Sequence, residues 1–371
     1  MRKIQICFIT SHFPQGGAER QILELMKGLI ERDYQITLIC YQSDFIFFQE
    51  LKSLDLTLIL NKNKASKYSL IRWVNNIIFL RKYLKINSYD ILHTYLFYNG
   101  FIVRLFAPNK YKNKIIYSIR NSYTSTLKFF YFLDKLLNKK SINIYNSKKS
   151  FSEIYPNPHP DILKNNIVIY NGFNEHRFFK SDTPNDQMIK IGMVGRITKQ
   201  KNQLQVLRVL NKMKYNLVKP LKFYLIGDSF DERKNIDNFI TNNNLEEKVV
   251  LLNAQNNIED YYSIFDIFVL SSLYEGCPNV LFEALLSKCL CVVSNGSNSD
   301  LFIKDGINGF VYDGSDKMLE LKFNEALDQR NIKSIENIVN NGYNYARDNF
   351  TISKMLNSYE TIYKNIYVDD E

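Results

Sequence analysis

Short runs of β-branched and aromatic residues alternate with amphipathic stretches along the first half of the chain. Between the first two runs, residues 18–32 place Ile22, Leu25 and Leu29 at helical spacing, which predicts a helix with one buried face. Strands that alternate with helices in this way are typical of parallel α/β units. The predicted strands of this half are 4–10, 35–41, 56–60, 91–93, 114–119 and 142–145.

A second series of the same kind follows a junction near residues 171–184. Two such series predict an α/β protein with two doubly wound, Rossmann-like domains that face each other across a cleft, where ligands would bind beyond the carboxyl ends of the strands. We place the domains at 1–172 and 173–349, and expect the segment 350–371 to fold back as a helix toward the first domain. The predicted strands are 189–194, 222–226, 249–252, 267–271, 291–294 and 309–311, and the predicted helices are 203–213, 258–265, 280–287 and 352–367.

The composition fits a globular protein of this size, with 371 residues of which 45% are hydrophobic and 23% charged. The apolar run after Met1 is too short for a signal peptide, and the most apolar long stretch, 91–107, is interrupted by polar residues. We therefore expect neither a leader nor a spanning helix. The five cysteines lack metal-ligand spacing, so we expect reduced thiols in a cytoplasmic protein.

The net charge of +10 is unevenly distributed along the chain. Residues 1–172 carry 25 Lys and Arg against 11 Asp and Glu, and residues 61–150 carry 18 against two. Such an imbalance indicates an anionic partner for the first domain. We find no helix-turn-helix, zinc finger or aromatic RNA-binding motif, so we do not expect that partner to be a nucleic acid.

An anionic membrane is the alternative partner for the basic region of about residues 61–150. Within it, the segment 123–140 interleaves aromatic residues and leucines with lysines, as expected of a chain that lies in lipid headgroups. The same pattern fits a helix whose apolar face is core, and the sequence leaves both interpretations open. We expect the protein to be peripheral on the inner face of the cytoplasmic membrane.

Two glutamates, Glu275 and Glu283, frame the segment that carries the most informative motif. Pro278 suits the first turn of a helix, which would leave Glu275 on a loop and Glu283 inside the helix. The opening amides of that helix would then be available to an anion. The carboxylates could accept hydrogen bonds from a sugar and a ribose, although two solvated surface acids would show the same spacing.

A second motif follows the predicted strand 189–194, where Gly195 is succeeded by Arg196 and Lys201. A glycine at this position allows close backbone approach, and the two cations could neutralise a diphosphate in place of a metal. An ordinary basic turn would look similar.

A third motif, Gly16 and Gly17, follows the first predicted strand. It lacks the Gly-x-Gly-x-x-Gly spacing of a nicotinamide site, and the chain has no P-loop, zinc spacing or Gly-x-Ser-x-Gly elbow. Two further residues are candidates for the cleft and the acceptor: His93, at the end of a predicted strand, and Arg120, after the strand 114–119. For His93 a packing role is equally consistent with the sequence.

Taken together, these segments resemble the retaining nucleotide-sugar glycosyltransferases of family 4, which have the GT-B fold and build cell-surface or lipid-linked glycans. The resemblance runs over nearly the whole chain. The matching segments are 16–20, 90–94, 171–174, 195–201, 272–276, 283–284, 305–309 and 350–363.

The resemblance implies roles for the individual residues. Arg196 and Lys201 would bind the donor diphosphate, Glu275 the donor sugar and Glu283 the ribose. Donor contacts would also come from Gly195 and from the backbone of Gly276, Cys277, Pro278, Asn279, Val280 and Leu281. Residues toward the cleft and the acceptor would be Gly16, Gly17, His93 and Arg120.

The resemblance further implies a metal-independent hexosyl- or N-acetylhexosaminyltransferase that uses no cofactor and takes a nucleotide sugar, expected to be a UDP-sugar. Its acceptor would be a lipid-linked saccharide of lipopolysaccharide, O-antigen or capsule synthesis. Arg120 or Asn121 occupies the region where some members place a catalytic histidine, so the sequence names no protein base. A GT-B phosphorylase, a sugar-nucleotide epimerase and an inactive binding scaffold are the alternatives.

Overall fold

A computed structural model describes residues 2–11, 13, 16–41, 48–61, 69–120, 132, 134–181, 188–213, 219–328 and 332–368. The chain divides into two compact units. The first comprises Met1–Gly172 together with Ile352–Glu371, and the second comprises Phe173–Thr351. Each unit is built on one parallel sheet.

The first unit contains a seven-stranded sheet in the order β3-β2-β1-β4-β5-β6-β7. Its central strands are buried along almost their whole length, as expected of parallel strands that are covered by helices on both faces. The strands are β1 (Gln5–Thr10), β2 (Gln35–Cys40), β3 (Leu56–Leu60), β4 (Ile91–Tyr95), β5 (Ile115–Ile119), β6 (Ile142–Tyr145) and β7 (Asn166–Val168). The helices are Gly17–Glu31, Phe48–Lys52, Ser69–Ile86, Leu96–Phe106, Lys148–Ile154, Pro160–Lys164 and Ile352–Val368.

The second unit contains a six-stranded sheet in the order β10-β9-β8-β11-β12-β13. In both sheets the strand order reverses beside the first strand, which is the doubly wound arrangement. The strands are β8 (Ile189–Val194), β9 (Leu221–Ile226), β10 (Val249–Leu252), β11 (Ile267–Leu270), β12 (Leu290–Ser294) and β13 (Phe310–Tyr312). The helices are Gln203–Met213, Arg233–Asn242, Ile258–Ile264, Asn279–Leu286, Asp316–Leu327 and Ile332–Asn349.

Every strand predicted from the sequence is present, with bounds that agree to within two residues. The elements that the sequence does not predict include the short edge strand β7, the helices Ser69–Ile86 and Leu96–Phe106 of the first unit, and the helices Arg233–Asn242, Asp316–Leu327 and Ile332–Asn349 of the second. The helix Ser69–Ile86 has a weak amphipathic period because Ile71 and Ile78 are exposed on the side opposite the buried Leu80 and Leu84. In the described part of the chain, no helix has both the length and the hydropathy needed to cross a bilayer.

The apolar stretch 91–107 consists of β4 followed directly by the helix Leu96–Phe106. The charged residue that interrupts it, Arg104, is buried and paired inside the unit. Arg104 forms an ion pair with Asp134, and its Nε donates to the Gly100 carbonyl at 3.0 Å. The guanidinium also lies 4.2 Å from the ring centroid of Tyr117. These contacts satisfy a charge that would otherwise be costly to remove from water.

The C-terminal helix, Ile352–Val368, packs on the first unit. Its apolar face contacts the helix Gly17–Glu31, where Gly28 lies directly against the Leu356 side chain. Arg32 at the end of the latter helix forms an ion pair with Glu360.

Two tyrosines of the C-terminal helix, Tyr359 and Tyr363, are fully buried in the same core as the strands. The helix Ile352–Val368 therefore completes the core that β1 and the helix Gly17–Glu31 begin.

His93 lies in the middle of β4 and is fully buried. Its Nδ1 is 2.8 Å from the Tyr363 hydroxyl, and its Nε2 is 2.8 Å from the Ser118 hydroxyl. Its ring stacks on Tyr95 with the centroids 4.3 Å apart. The sequence allows either a packing role or a ligand-facing role for His93, and the structure gives the packing role: the side chain faces the interior of the first unit.

We expect His93 to make the stability of the first unit depend on pH. Burial, and secondarily the positive charge of Arg120, hold the pKa of His93 well below the ordinary value of 6.5. As the pH falls below that value, the unfolded chain takes up a proton that the folded unit does not bind. The free energy of unfolding should therefore fall from pH 7.5 to 5.5, with a limiting slope of about 1.4 kcal/mol per pH unit.

Urea unfolding followed by fluorescence measures this slope selectively, because the single tryptophan, Trp73, lies in the first unit against Tyr98. The variant His93→Gln should flatten the slope. The matched control His159→Gln, at an exposed position, should preserve it. Equal slopes in wild type and His93→Gln would contradict the assignment.

Candidate functional site

The point where strand order reverses in the second sheet lies between β8 and β11, which pair directly. The chain moves from β8 to β9 and from β11 to β12 in opposite directions across the sheet. The loops that leave the carboxyl ends of β8 and β11 therefore diverge and leave a crevice where ligands bind in this class of sheet. These loops carry the first two motifs of the sequence.

Lys201 and Glu275 meet in this crevice, although 74 residues separate them in the sequence. The Lys201 Nζ lies 2.6 Å from the Glu275 Oε1, and the two side chains are only 13% and 11% exposed. The sequence predicts both residues to act on one ligand. The structure brings them into direct contact through a charge-assisted hydrogen bond.

Three hydrogen bonds to backbone carbonyls hold the two loops together. The Leu273 amide donates to the Gln200 carbonyl at 2.8 Å, and the Gln200 side-chain amide donates to the Tyr274 carbonyl at 2.9 Å. The Ser271 hydroxyl donates to the Lys201 carbonyl at 2.8 Å. The relative positions of Lys201 and Glu275 are thus fixed by their backbones as well as by their ion pair.

A third loop, after β12, supports the glutamate from the other side. The Glu275 amide donates to the Gly296 carbonyl at 3.2 Å, and the Ser299 hydroxyl donates to the Gly276 carbonyl. Sequence reasoning assigns no role to Gly296 or Ser299. These contacts join loops more than 20 residues apart, so no local pattern signals them.

Gly195 and Arg196 form the turn that opens the first loop. Gly195 has φ = +147°, a region that residues with a side chain rarely adopt. Arg196 is exposed, with its guanidinium 5.6 Å from the Phe230 ring centroid. Among the described residues, no carboxylate lies within ion-pair distance of Arg196. It is therefore a cation at the edge of the crevice, beside a lysine that is already paired.

The helix Asn279–Leu286 begins one residue after Pro278, close to the predicted start. The opening amides of a helix lack acceptors within it and carry partial positive charge. Pro278 has no N–H, so it can shape the turn but cannot donate to an anion. Cys277, Asn279 and Val280 retain backbone N–H groups along the same turn, whereas the Leu281 amide donates to the Pro278 carbonyl at 3.1 Å. As predicted, Glu275 lies on the loop and Glu283 in the helix.

Glu283 is oriented by a residue that sequence reasoning misses. The Tyr262 hydroxyl lies 3.0 Å from the Glu283 Oε2 and donates to it. Tyr262 is fully buried on the helix Ile258–Ile264. Burial, followed by the charge of Glu283, raises the pKa of Tyr262 well above its usual value, so the phenol remains a donor. Tyr262 lies 21 residues before Glu283, so no short sequence motif links the two residues.

The remaining predicted residues lie in the first unit. Gly17 opens a helix after β1, and Gly16 precedes it in extended conformation, where a side chain would collide with Glu19. Arg120 follows β5, is mostly buried, and donates to the Asn171 side chain and, at 2.8 Å, to the Tyr359 hydroxyl. Through its hydrogen bond to Tyr359, Arg120 braces the C-terminal helix. In the sheet, β4 lies between β1, which precedes the two glycines, and β5, which precedes Arg120.

Two family models together account for nearly the whole chain. Residues 15–177 match Glycosyltransferase Family 4, and residues 174–345 match Glycosyl transferases group 1. The chain belongs to the family 4 glycosyltransferases, and its fold is GT-B. This confirms the family and the fold predicted from the sequence.

Individual relatives and structures agree with this assignment. The chain is 25% identical to the UDP-Gal:alpha-D-GlcNAc-diphosphoundecaprenol alpha-1,3-galactosyltransferase of Escherichia coli, over 99% of this chain and 98% of the relative. It is also 25% identical to the N-acetylgalactosamine-N,N'-diacetylbacillosaminyl-diphospho-undecaprenol 4-alpha-N-acetylgalactosaminyltransferase of Campylobacter jejuni, over 80% and 81%. The crystal structure of Anabaena Alr3699/HepE with UDP and glucose superposes with a TM-score of 0.80 at 18% identity, covering 98% of this chain and 100% of the other.

We expect the close approach of two turns to be essential for this site. Gly227, at the end of β9, has φ = +157°, and a Cβ there would overlap the Gly195 carbonyl. Gly227→Ala should displace the Gly195–Arg196 turn and lower glycosyltransferase activity by about 100-fold, the scale of an ångström-sized misplacement. Acceptor-dependent transfer and thermal unfolding measure both effects.

Gly314 provides the matched control, because it also has a positive φ, +95°, but a Cβ added there would meet no atom within 4 Å. Gly314→Ala should carry the backbone strain alone, about 1 kcal/mol of stability, without the steric overlap that Gly227→Ala adds. It should keep its activity within about twofold of wild type, because local strain alone leaves catalytic geometry intact. Equal activity of the two alanine variants would rule out the proposed packing requirement.

Proposed function

We propose that this protein transfers a sugar from a UDP-sugar to a lipid-linked diphosphate saccharide, with retention of anomeric configuration, in the synthesis of a surface glycan. The observation that carries the proposal is the contact between Lys201 and Glu275 at the reversal of strand order, beside the start of the helix Asn279–Leu286. One cation, one sugar-binding carboxylate and a helix N-terminus meet there.

The donor diphosphate would lie against this positive edge. Breaking the glycosyl bond leaves negative charge on the phosphate, and fixed charges and dipoles stabilise it most where water is excluded. Arg196, Lys201 and the backbone N–H groups of Gly276, Cys277, Asn279 and Val280 would supply that stabilisation. These groups can balance the leaving group without a divalent ion, which supports a metal-independent transfer.

The two glutamates would orient the rest of the donor. Glu275 would accept hydrogen bonds from the sugar hydroxyls and Glu283 from the ribose. The hydrogen bond from Tyr262 to Oε2 of Glu283 would hold that carboxylate in its orientation. The preference for UDP is supported by the Escherichia coli relative, which uses UDP-Gal, and by the binding of UDP to Anabaena HepE.

The chemistry would proceed by attack of the acceptor on the same face as the leaving phosphate. In this scheme a phosphate oxygen accepts the acceptor proton, and no protein base is needed. The burial and pairing of His93 and the donor role of Arg120 are consistent with that scheme. Both relatives described above act on diphosphoundecaprenol-linked sugars, which supports an acceptor of that class. Gly16 and Gly17 would provide the close backbone approach on the acceptor side.

We expect Lys201→Ala and Glu275→Ala each to lower turnover by at least about 100-fold, because the lysine would stabilise the charge on the leaving phosphate and the glutamate would hold the donor sugar in position. The assay measures release of UDP that depends on a diphosphoundecaprenol-linked saccharide. Lys212→Ala is the matched control, because Lys212 forms an exposed pair with Glu320 at the same 2.6 Å distance. It should retain full activity.

The same assay tests whether transfer needs a metal ion and whether it retains the anomeric configuration. Activity should be unchanged by EDTA, and proton NMR of the product should show the anomeric configuration of the donor. Loss of activity in EDTA that Mg²⁺ or Mn²⁺ restores would contradict metal independence. Near wild-type activity of both variants would contradict the site, and conversion of the nucleotide sugar without acceptor would favour an epimerase.

We also propose that the first unit docks on the inner leaflet of the cytoplasmic membrane. The helix Ser69–Ile86 exposes an apolar stripe, formed by Ile71, Val74 and Ile78. Four exposed cations flank or extend this stripe: Arg72, Arg81, Lys82 and Lys85. An apolar stripe edged by cations suits the headgroup region of an anionic bilayer, where each cation contributes about 1 kcal/mol.

The segment 123–140 adds less to this proposal than its sequence suggests, since residues 123–131 and 133 lie outside the described part of the chain. Of the remainder, Leu137 is buried, whereas Phe132 and Leu136 are exposed near Lys139 and Lys140. The described part therefore contributes both to the core and to an exposed apolar and basic surface.

We expect the protein to float with vesicles of phosphatidylglycerol and phosphatidylcholine, and less with phosphatidylcholine alone. Replacing Ile71, Val74 and Ile78 together by serine should reduce the bound fraction several-fold, because each substitution removes apolar area that the bilayer would bury. Ile332→Ser, at an equally exposed position of the second unit, is the control. Binding that is unaffected by the triple substitution would exclude this helix as the docking surface.

A further inference from the structure

The ion pair between Lys201 and Glu275 is isolated as well as largely buried. Their 2.6 Å contact is the one ionic partner that each has among the described residues. The control pair Lys212 and Glu320 has the same separation, but its lysine side chain is 72% exposed. Water can therefore replace either partner in the control pair, whereas in the site the lysine and the glutamate depend on each other.

A bound diphosphate changes this balance, because it carries more negative charge than one carboxylate and would draw Lys201 toward itself. Glu275 would then be left with its charge in a position that is 11% exposed. An unpaired carboxylate shielded from water is unfavourable unless new donors reach it. Sugar hydroxyls of an intact donor can provide them. A nucleoside diphosphate has no group at that position.

We propose that Glu275 acts as a counterion of Lys201 that makes the site select the intact donor over the nucleoside diphosphate product. This inference rests on the proposed function, in which the diphosphate meets Lys201 and the sugar meets Glu275. With product bound, Glu275 competes for the lysine and weakens the complex. With donor bound, the sugar compensates Glu275 and releases the lysine to the phosphate. Glu275 is thus a specificity-determining residue in addition to a sugar ligand.

The substitution Glu275→Gln separates this role from simpler ones because it removes the charge and keeps the shape. A residue that only binds sugar would leave the affinity for UDP unchanged. A residue that only maintains the loop would weaken the binding of UDP and lower the thermal stability. A counterion of Lys201 has the opposite effect, because its removal frees the lysine and tightens UDP binding.

The experiment is isothermal titration of wild type and Glu275→Gln with UDP, and with UDP-galactose, UDP-glucose and UDP-N-acetylgalactosamine, in the absence of acceptor. We expect the variant to bind UDP about 3- to 10-fold more tightly, the scale of one partly screened charge pair. The preference for the tightest-binding UDP-sugar over UDP should fall by about 10-fold or more. The increase in affinity for UDP should become smaller as the NaCl concentration is raised, because salt screens the interaction between the charges.

Glu320→Gln is the matched control, since it removes the same charge from a lysine pair of equal length outside the site, and it should bind UDP as wild type does. Unchanged or weaker UDP binding by Glu275→Gln would overturn the inference while leaving the proposed function intact. Failure of the wild-type protein to bind UDP and every UDP-sugar would refute the proposed donor, and the inference with it.

Discussion

Lys201 and Glu275 carry opposite charges that are largely shielded from water, so each is stable there only in contact with the other. The reversal of strand order in the second unit makes this contact possible. β8 and β11 are neighbours in the sheet, although a long stretch of chain separates them. Their loops consequently bring Lys201 to Glu275. Hydrogen bonds from Gln200, Leu273 and Ser299 then fix both loops at that distance. Without the pairing of these strands, the two motifs would be unrelated charged turns.

The sequence predicts those features of this arrangement that are local. Strands are identified by their apolar, β-branched runs, and Pro278 locates the start of a helix and thereby separates the environments of Glu275 and Glu283. The contacts between distant segments are not predictable in this way. The hydrogen bond from Tyr262 to Glu283 depends on how two helices pack, and no spacing within either helix encodes it.

His93 and the helix Ser69–Ile86 illustrate the same limit in the first unit. A histidine near the end of a strand can face a ligand or the core, and only the position of Tyr363, 270 residues later, decides between them. The helix escapes prediction because apolar residues lie on its exposed as well as its buried side. A surface that departs from the amphipathic pattern is also the surface for which a partner is expected.

The first unit is assembled from both ends of the chain, which has a consequence for biosynthesis. Tyr359 and Tyr363 fill its core, yet a ribosome makes them after the entire second unit. The core of the nascent first unit therefore remains incomplete, with the apolar face of the helix Gly17–Glu31 uncovered, while the second unit is translated and can already fold. Premature termination before residue 352 would leave that face without its cover and would yield an aggregation-prone product, even though the whole second unit, with Lys201 and Glu275, had been made.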